Sequence, residues 1–222
     1  MRKAPLLGAA ALALAALAAT PLLAQQDGDH AGHRGGGMMA EPLHGAGTPA
    51  DVKAGTYAVE PGHTQVAFSV SHMGISPFAG TFSGASGSMQ LDPADLSKTK
   101  LTVTIPTASV QTTSAKLTEE LNSADWLDSG KFPTATFVAT SVKPMGESMA
   151  MIEGSLTLHG VTKPVMIGAR FFGAAQNPMS KKDSIGFLGR MVIHRSEFGV
   201  TKYVPLVSDE TVLVINAAFE KQ

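Results

Sequence analysis

Cysteine is absent from all 222 residues. That absence removes structural disulfides, thiol catalysis and thiolate metal sites together. Charge is sparse and nearly balanced, 17 Lys and Arg against 18 Asp and Glu, and no basic stripe runs along the chain. Nucleic acid therefore has no electrostatic case as a partner. The common catalytic fingerprints are missing as well. No G-x-S-x-G elbow, H-E-x-x-H pair, P-loop or dinucleotide glycine pattern occurs, and no cofactor is expected. Paired carboxylates such as Glu119-Glu120 read as solvated charge on a helix surface.

Long apolar runs are missing too, except one. Arg2 and Lys3 precede an apolar stretch from Ala4 to Ala19, and small residues and a proline lead to Leu22-Leu23-Ala24. This is the order of a secretory signal peptide. The stretch is too short and too alanine-rich for a membrane span of about 20 strongly apolar residues. Cleavage is expected after Ala24, giving a signal peptide at 1–24, although Leu22 stands where alanine is more usual; an uncleaved anchor is the alternative. No cysteine follows the run, so lipid attachment through an N-terminal cysteine is excluded. Cleavage would leave 222 − 24 = 198 residues and move the net charge from −1 to −3, since two basic and no acidic residues go. An exported domain without disulfides must hold together by its core, and one of this size can.

Residues 25–54 carry no sustained apolar period and are rich in glycine, with His30, His33, His44, Met38 and Met39 among them. Such a segment cannot bury enough apolar surface to offset its ordering entropy, so a flexible linker is expected. Histidine and methionine are ligand types for copper, and histidine for nickel; the plain alternative is solvated low-complexity chain.

From Gly55 to the end the pattern alternates with a period of two. Val66, Phe68, Val70 and His72 form one face, and so do Leu101, Val103 and Ile105. Val165, Ile167, Ala169 and Phe171 repeat it, as do Ile185, Phe187, Gly189, Met191 and Ile193, and finally the run Thr211 to Phe219. Short alternating runs bounded by Gly, Pro, Asn and Asp argue for an antiparallel all-β domain over 55–222. About eight strands either stack as a sandwich or close as a barrel, and closure removes exposed edges. A barrel of that size is filled by side chains or holds one small ligand. Gly80, Gly84, Ala85, Gly87 and Gly189 on inward faces suggest room, although glycine also marks bends and bulges. One segment departs from the period. Thr113 to Leu127 places Leu117, Leu121, Ala124 and Trp126 or Leu127 near helical spacing, with Ser114 suited to cap it. The resulting amphipathic helix could close one end of a barrel or pack outside it.

Three histidines invite a catalytic reading. His72 continues an inward face near a strand end, either as a satisfied core histidine or at the polar end of a ligand. His159 sits between Leu158 and Gly160, where a tight turn is favoured by the glycine's access to positive φ; the turn and a catalytic role both stand on the residues alone. His194 lies at a strand end followed by polar residues, which suits the surface.

Four stretches in order, YAVEPGHTQVAFSVSHMG (57–74), DWLDSGKFPTATF (125–137), GSLTLHGVTKPV (154–165) and HRSEFGV (194–200), resemble the YceI-like family, and SDETVLVINAAFE (208–220) fits with them. The similarity runs from about Thr56 to the end. It implies an extended, lipocalin-like antiparallel β-barrel in the periplasm whose apolar interior binds a polyisoprenoid lipid or isoprenoid quinone, with no catalytic residues. It also implies transient contact with a membrane b-type cytochrome or the membrane surface, and is compatible with a homodimer. His72 becomes the polar candidate beside the ligand, and LTLHGVTKPV, as a hairpin common to the family, strengthens the turn reading of His159. The expected lining is Phe68, Val70, Val103, Ile105, Phe137, Leu156, Leu158, Ile167, Phe187 and Ile193, provided the register is right, since a slip of one residue swaps the faces. An enzyme acting on an apolar substrate in the same cavity, and metal handling through the His/Met-rich linker, are the competing functions.

Overall fold

The computed structural model describes residues 45–222. The expected signal peptide and residues 25–44 of the expected linker, with all of its histidines and both of its methionines, lie outside the described residues.

Ten antiparallel strands form one sheet: β1 (Gly55–Val59), β2 (Gln65–His72), β3 (Ser76–Phe82), β4 (Ser86–Leu91), β5 (Lys100–Pro106), β6 (Thr134–Pro144), β7 (Met149–Leu158), β8 (Val161–Gln176), β9 (Asp183–His194) and β10 (Glu210–Lys221). The order is β1-β4-β5-β6-β7-β8-β9-β10-β2-β3, and β1 also pairs with β10. The ring of eight strands from β1 round to β10 is therefore closed. β1 and β2 share one edge of β10, β1 along its C-terminal part (Val59↔Phe219) and β2 along its N-terminal part (Val66↔Ile215). β3 then pairs with β2 and reaches the segment after β5 through Thr81, which exchanges backbone hydrogen bonds of 2.8 and 2.9 Å with Gln111. Two of the eight staves are thus broken in the middle, which is how ten strand segments make a barrel of eight.

The break between β3 and β4 explains two of the glycines. Gly84 has φ 69° and Gly87 φ 141°; a Cβ at Gly87 would stand 2.1 Å from the Thr102 carbonyl oxygen of β5. These glycines let the backbone turn and approach its neighbour closely, so they do not provide interior room. Gly80 provides none either, because the Phe68 ring lies over it, 2.5 Å from where its Cβ would be.

Helix α1 (Ala115–Asn122) is shorter than the run that suggested it, and Ser114 caps it by accepting from the Leu117 N–H at 3.4 Å. Successive turns carry the chain from Ser123 to Lys131. Leu117 and Leu121 of α1, with Trp126 and Leu127 beyond it, face the barrel interior, so the helix closes one end. Residues 45–54 also differ from the expected flexible linker. The Ala174 N–H donates to the Ala46 carbonyl at 2.8 Å, Lys53 pairs with Asp183 at 2.9 Å, and the buried Tyr57 hydroxyl donates to the Lys53 carbonyl at 2.7 Å. Composition misled here because Ala46 and Lys53 are ordered by partners more than 100 residues away, not by local pattern.

Two apolar clusters fill the barrel walls. One, around Phe137, Leu156, Ile167, Met191 and Phe198, lies toward the helix end; the other, around Tyr57, Met89, Ile185 and Phe219, lies toward the opposite end.

Candidate ligand-binding cavity

Between these clusters the interior is hollow, and the cross-strand register shows why. Pro144 of β6 pairs with Ala150 of β7, Ala150 with Ala169 of β8, Ala169 with Gly189 of β9, and Gly189 with Ile215 of β10. All five face the interior, so one row across five strands holds Ala150, Ala169 and Gly189 side by side, with the Ile215 and Ile167 side chains closing over Gly189 at 3.2 and 3.3 Å from where its Cβ would be. Larger residues flank the row: Ile152 and Ile167 on one side, Phe171 and Phe187 on the other. Phe171, Phe187 and Phe219 stack edge to face, with ring centroids 6.1 and 6.2 Å apart, and form an aromatic belt that cannot collapse into the gap. The result is a cavity of about 850 Å³, within the range of small-molecule sites.

The structure brings every expected lining residue to this one cavity. Phe68, Val70 and His72 reach it from β2, Val103 and Ile105 from β5, Phe137 from β6, Leu156 and Leu158 from β7, Ile167 from β8, and Phe187 and Ile193 from β9. His72 differs from the apolar ten in being exposed, at the helix-capped end. Ala150, Tyr203 and Arg195 on the wall are not among the residues the sequence suggested, whereas Ala169 and Gly189 lay on inward faces and Trp126 on the apolar face of the expected helix. Alanine or glycine at inward positions of period-two runs was the available signal, but their alignment across strands needs the register.

The polar groups of the wall are few. Arg195, 6% exposed, donates to three backbone carbonyls: Nε to Ser208 at 2.9 Å, one terminal nitrogen to Val200 at 2.9 Å and the other to Val207 at 2.8 Å. Its guanidinium also lies 5.2 Å from the Trp126 ring centroid. Burial lowers its pKa from the usual value, with the nearby Asp209 charge acting in the opposite direction. Its hydrogen bonds fix the loop between β9 and β10, which is a structural use of the charge. Thr99 Oγ1 is buried at the far end of the cavity without a hydrogen-bond partner among the described residues.

The other two histidines stand off the cavity wall. His159, at φ 51°, forms with Gly160 (φ 75°) the tight turn from β7 to β8. Its Nδ1 lies 3.1 Å from the Phe198 carbonyl oxygen, and its ring meets Phe132 edge on at 4.5 Å. It therefore clamps one hairpin to the turn after β9. His194 is on the surface, 3.8 Å from Asp209. The Ser196 hydroxyl donates to Asp209 directly at 2.7 Å, so that serine is engaged by the carboxylate and not by an imidazole. Among the described residues, no three His, Cys, Asp or Glu side chains converge as a metal site would require.

Closed antiparallel barrel, capping helix and apolar central cavity define a β-barrel of the internal-cavity class. Residues 57–219 match the model of the YceI-like domain, and the chain belongs to that family. A UPF0312 protein of Azotobacter vinelandii is 37% identical over 186 residues, covering 83% of this chain and 95% of the relative. Another, from Ectopseudomonas mendocina, is 40% identical over 154 residues, 69% and 80% of the two chains. Among solved structures, BcnA of Burkholderia cenocepacia superposes with a TM-score of 0.63 at 26% identity, over 72% of this chain and 98% of its own. A polyisoprenoid binding domain from Saccharophagus degradans shares the fold, with a TM-score of 0.58 at 12% identity over 77% and 100%.

Proposed function

We propose that this chain is a periplasmic carrier that holds a polyisoprenoid lipid or isoprenoid quinone inside the barrel and performs no chemistry on it. The observation that carries the reading is the apolar cavity of about 850 Å³, on whose wall Ala150 of β7 and Ala169 of β8 stand side by side. At roughly 30 Å³ per heavy atom, the share of a molecule in liquid water, that space takes on the order of 25 to 30 atoms. This corresponds to about five isoprene units. Each buried methylene is favourable by about 0.8 kcal/mol, so such a chain has a large gross driving force without any specific polar contact. Freezing it returns part of that gain, and the scarcity of polar groups on the wall makes chain length and girth the selective features.

Support also comes from the Saccharophagus domain, which shares the fold and binds polyisoprenoid, and from the N-terminal run of apolar residues behind Arg2 and Lys3, which suits export. Organic extraction of protein from its native periplasm, followed by mass spectrometry, should yield a branched hydrocarbon chain of roughly this length. An empty extract, together with no uptake of polyprenols or quinones in vitro, refutes the reading.

A further inference from the structure

Exposed apolar side chains occur at both ends of the barrel: methionines alone at the β6–β7 and β8–β9 turns, Met145, Met149 and Met179, and a mixed group at the end closed by α1. In the turn between β2 and β3, Met73 is 52% and Ile75 78% exposed. In the loop between β9 and β10, Tyr203 is 52% and Leu206 63% exposed, and Leu117 of α1 is 38% exposed. These three segments meet. The Met73 N–H donates to the Leu206 carbonyl at 2.6 Å, His72 bridges to Val207, and the Tyr203 ring lies 6.0 Å from Trp126, which follows α1. Together they rim the cavity at this end, because His72, Leu117, Trp126, Tyr203 and Val207 also line it. Apolar surface is therefore continuous from the interior, over the lip, to the outside.

The lip is held in place rather than left loose. Arg195 grips the carbonyls of Val200, Val207 and Ser208 from within. Ser208 also donates its N–H to the Ser71 carbonyl at 2.9 Å, and the Ser71 N–H donates to the Ser208 hydroxyl at 2.8 Å. Met73 and Tyr203 are both fixed at positive φ, 55° and 60°, a costly conformation for side chains of their size. A fold that spends buried hydrogen bonds to present adjacent, exposed Met, Ile, Leu and Tyr side chains is built to have them covered.

Charge decides by what. Lys202, beside Tyr203, is engaged by Asp125 at 2.7 Å, and Lys116 of α1 is offset by Glu119 and Glu120 on the same helix. There is no net positive charge here to draw in anionic headgroups or an acidic protein. The side chains match instead the apolar boundary of a bilayer, where Tyr suits the interface and Met, Ile and Leu the acyl region. We propose that this lip inserts shallowly into a lipid surface, by apolar burial alone, and that the cavity exchanges its ligand there without exposing the chain to water. The second half of this proposal rests on the carrier reading above; the first does not.

The absence of cysteine makes a direct test available. In the full chain, Ile75→Cys is labelled with a polarity-sensitive fluorophore, and Met179→Cys, at the opposite end and 89% exposed, serves as the control. Vesicles of phosphatidylcholine alone should shift the emission at 75 to the blue, unchanged by salt, and leave 179 unmoved. Adding Leu206→Ser should weaken the vesicle response at 75 by about tenfold. Farnesol binding without vesicles, read from the emission of Trp126, the single tryptophan, should be unaffected by Leu206→Ser.

No shift at 75, or equal shifts at 75 and 179, overturns the proposal. So does a shift seen only with anionic vesicles and suppressed by salt, and so does one that grows with protein concentration in the absence of lipid, which would mark a second copy as the occupant. Farnesol binding without vesicle insertion removes the lip and keeps the carrier. Insertion without farnesol binding keeps the lip as a membrane anchor and removes both the carrier and the exchange step.

Discussion

Filling the gap in the small-residue row is the most direct test of the cavity. Ala169 sits at its centre, between Ala150 and Gly189. Ala169→Phe adds about six carbons, or roughly 180 Å³ at the liquid-water share per heavy atom. Set against a cavity of about 850 Å³, that is near one fifth of the space, a little more than one isoprene unit. A ligand long enough to fill the cavity must then withdraw about five carbons, a gross loss of about 4 kcal/mol. Regained chain freedom offsets part of this, leaving about 2–3 kcal/mol, or roughly 30- to 150-fold in affinity. A ligand of two isoprene units occupies less than half the space and should lose about twofold at most. Quenching of Trp126 with geraniol and with a polyprenol of about five isoprene units, the length that fills the space, reads both cases. Thermal melting supplies the companion test. In a hollow interior the new ring is accommodated and the melting temperature holds, whereas in a filled core overpacking costs about 1–3 kcal/mol. Equal losses for both alcohols, or a destabilised variant that still binds both normally, would refute the reasoning.

Arg195→Met strands one buried and two half-buried carbonyls, each at about 1 kcal/mol, so chemical denaturation should show a loss of about 3 kcal/mol. The loop between β9 and β10 should also exchange its amide hydrogens faster. His159→Asn keeps access to the left-handed region and gives up the contacts with Phe198 and Phe132; a loss of about 1 kcal/mol with unchanged geranylgeraniol affinity is expected, and abolished binding would return that histidine to the site. Gly87→Ala, with its Cβ forced onto the Thr102 carbonyl, should cost more than about 2 kcal/mol in urea unfolding. Asp209 supplies the pH dependence. Burial pushes its carboxyl up, but the Ser196 hydroxyl and N–H, with His194 and Arg195, outweigh burial and hold it below the usual carboxylate value. Its contribution is therefore complete above the unfolded pKa of about 3.9 and fades as pH falls through the lower folded value. Melting curves of Asp209→Asn and the unsubstituted chain should differ at pH 6, and the difference should shrink as the pH is taken below the unfolded value and through the lower folded one.

Much of this protein was legible from side-chain alternation, because a strand reports its own inward and outward faces through a period of two. That period alone puts Phe68 with Val70 and Ile167 with Ala169, and the all-β architecture follows from the number of such runs, while closure into a barrel is decided by the pairing of β1 with β10. His159 was legible too, once Gly160 marked the turn. What alternation cannot express is which inward residues stand beside one another. Ala150, Ala169 and Gly189 are about 20 residues apart in the chain, and even Gly189, whose inward position suggested room, is a lone small residue in its own strand. Only the pairing of β7 with β8 and β8 with β9 lines them up on the cavity wall. Arg195 carries the same lesson, since its three partners belong to a loop whose path the sequence does not state. So does the lip, where Met73 and Leu206, 206 − 73 = 133 residues apart, are hydrogen-bonded neighbours because β2 pairs with β10. Local pattern determined the staves of the barrel. Tertiary contact decided where it is hollow and where its apolar wall spills outward, since both depend on distances between residues that the chain itself keeps far apart.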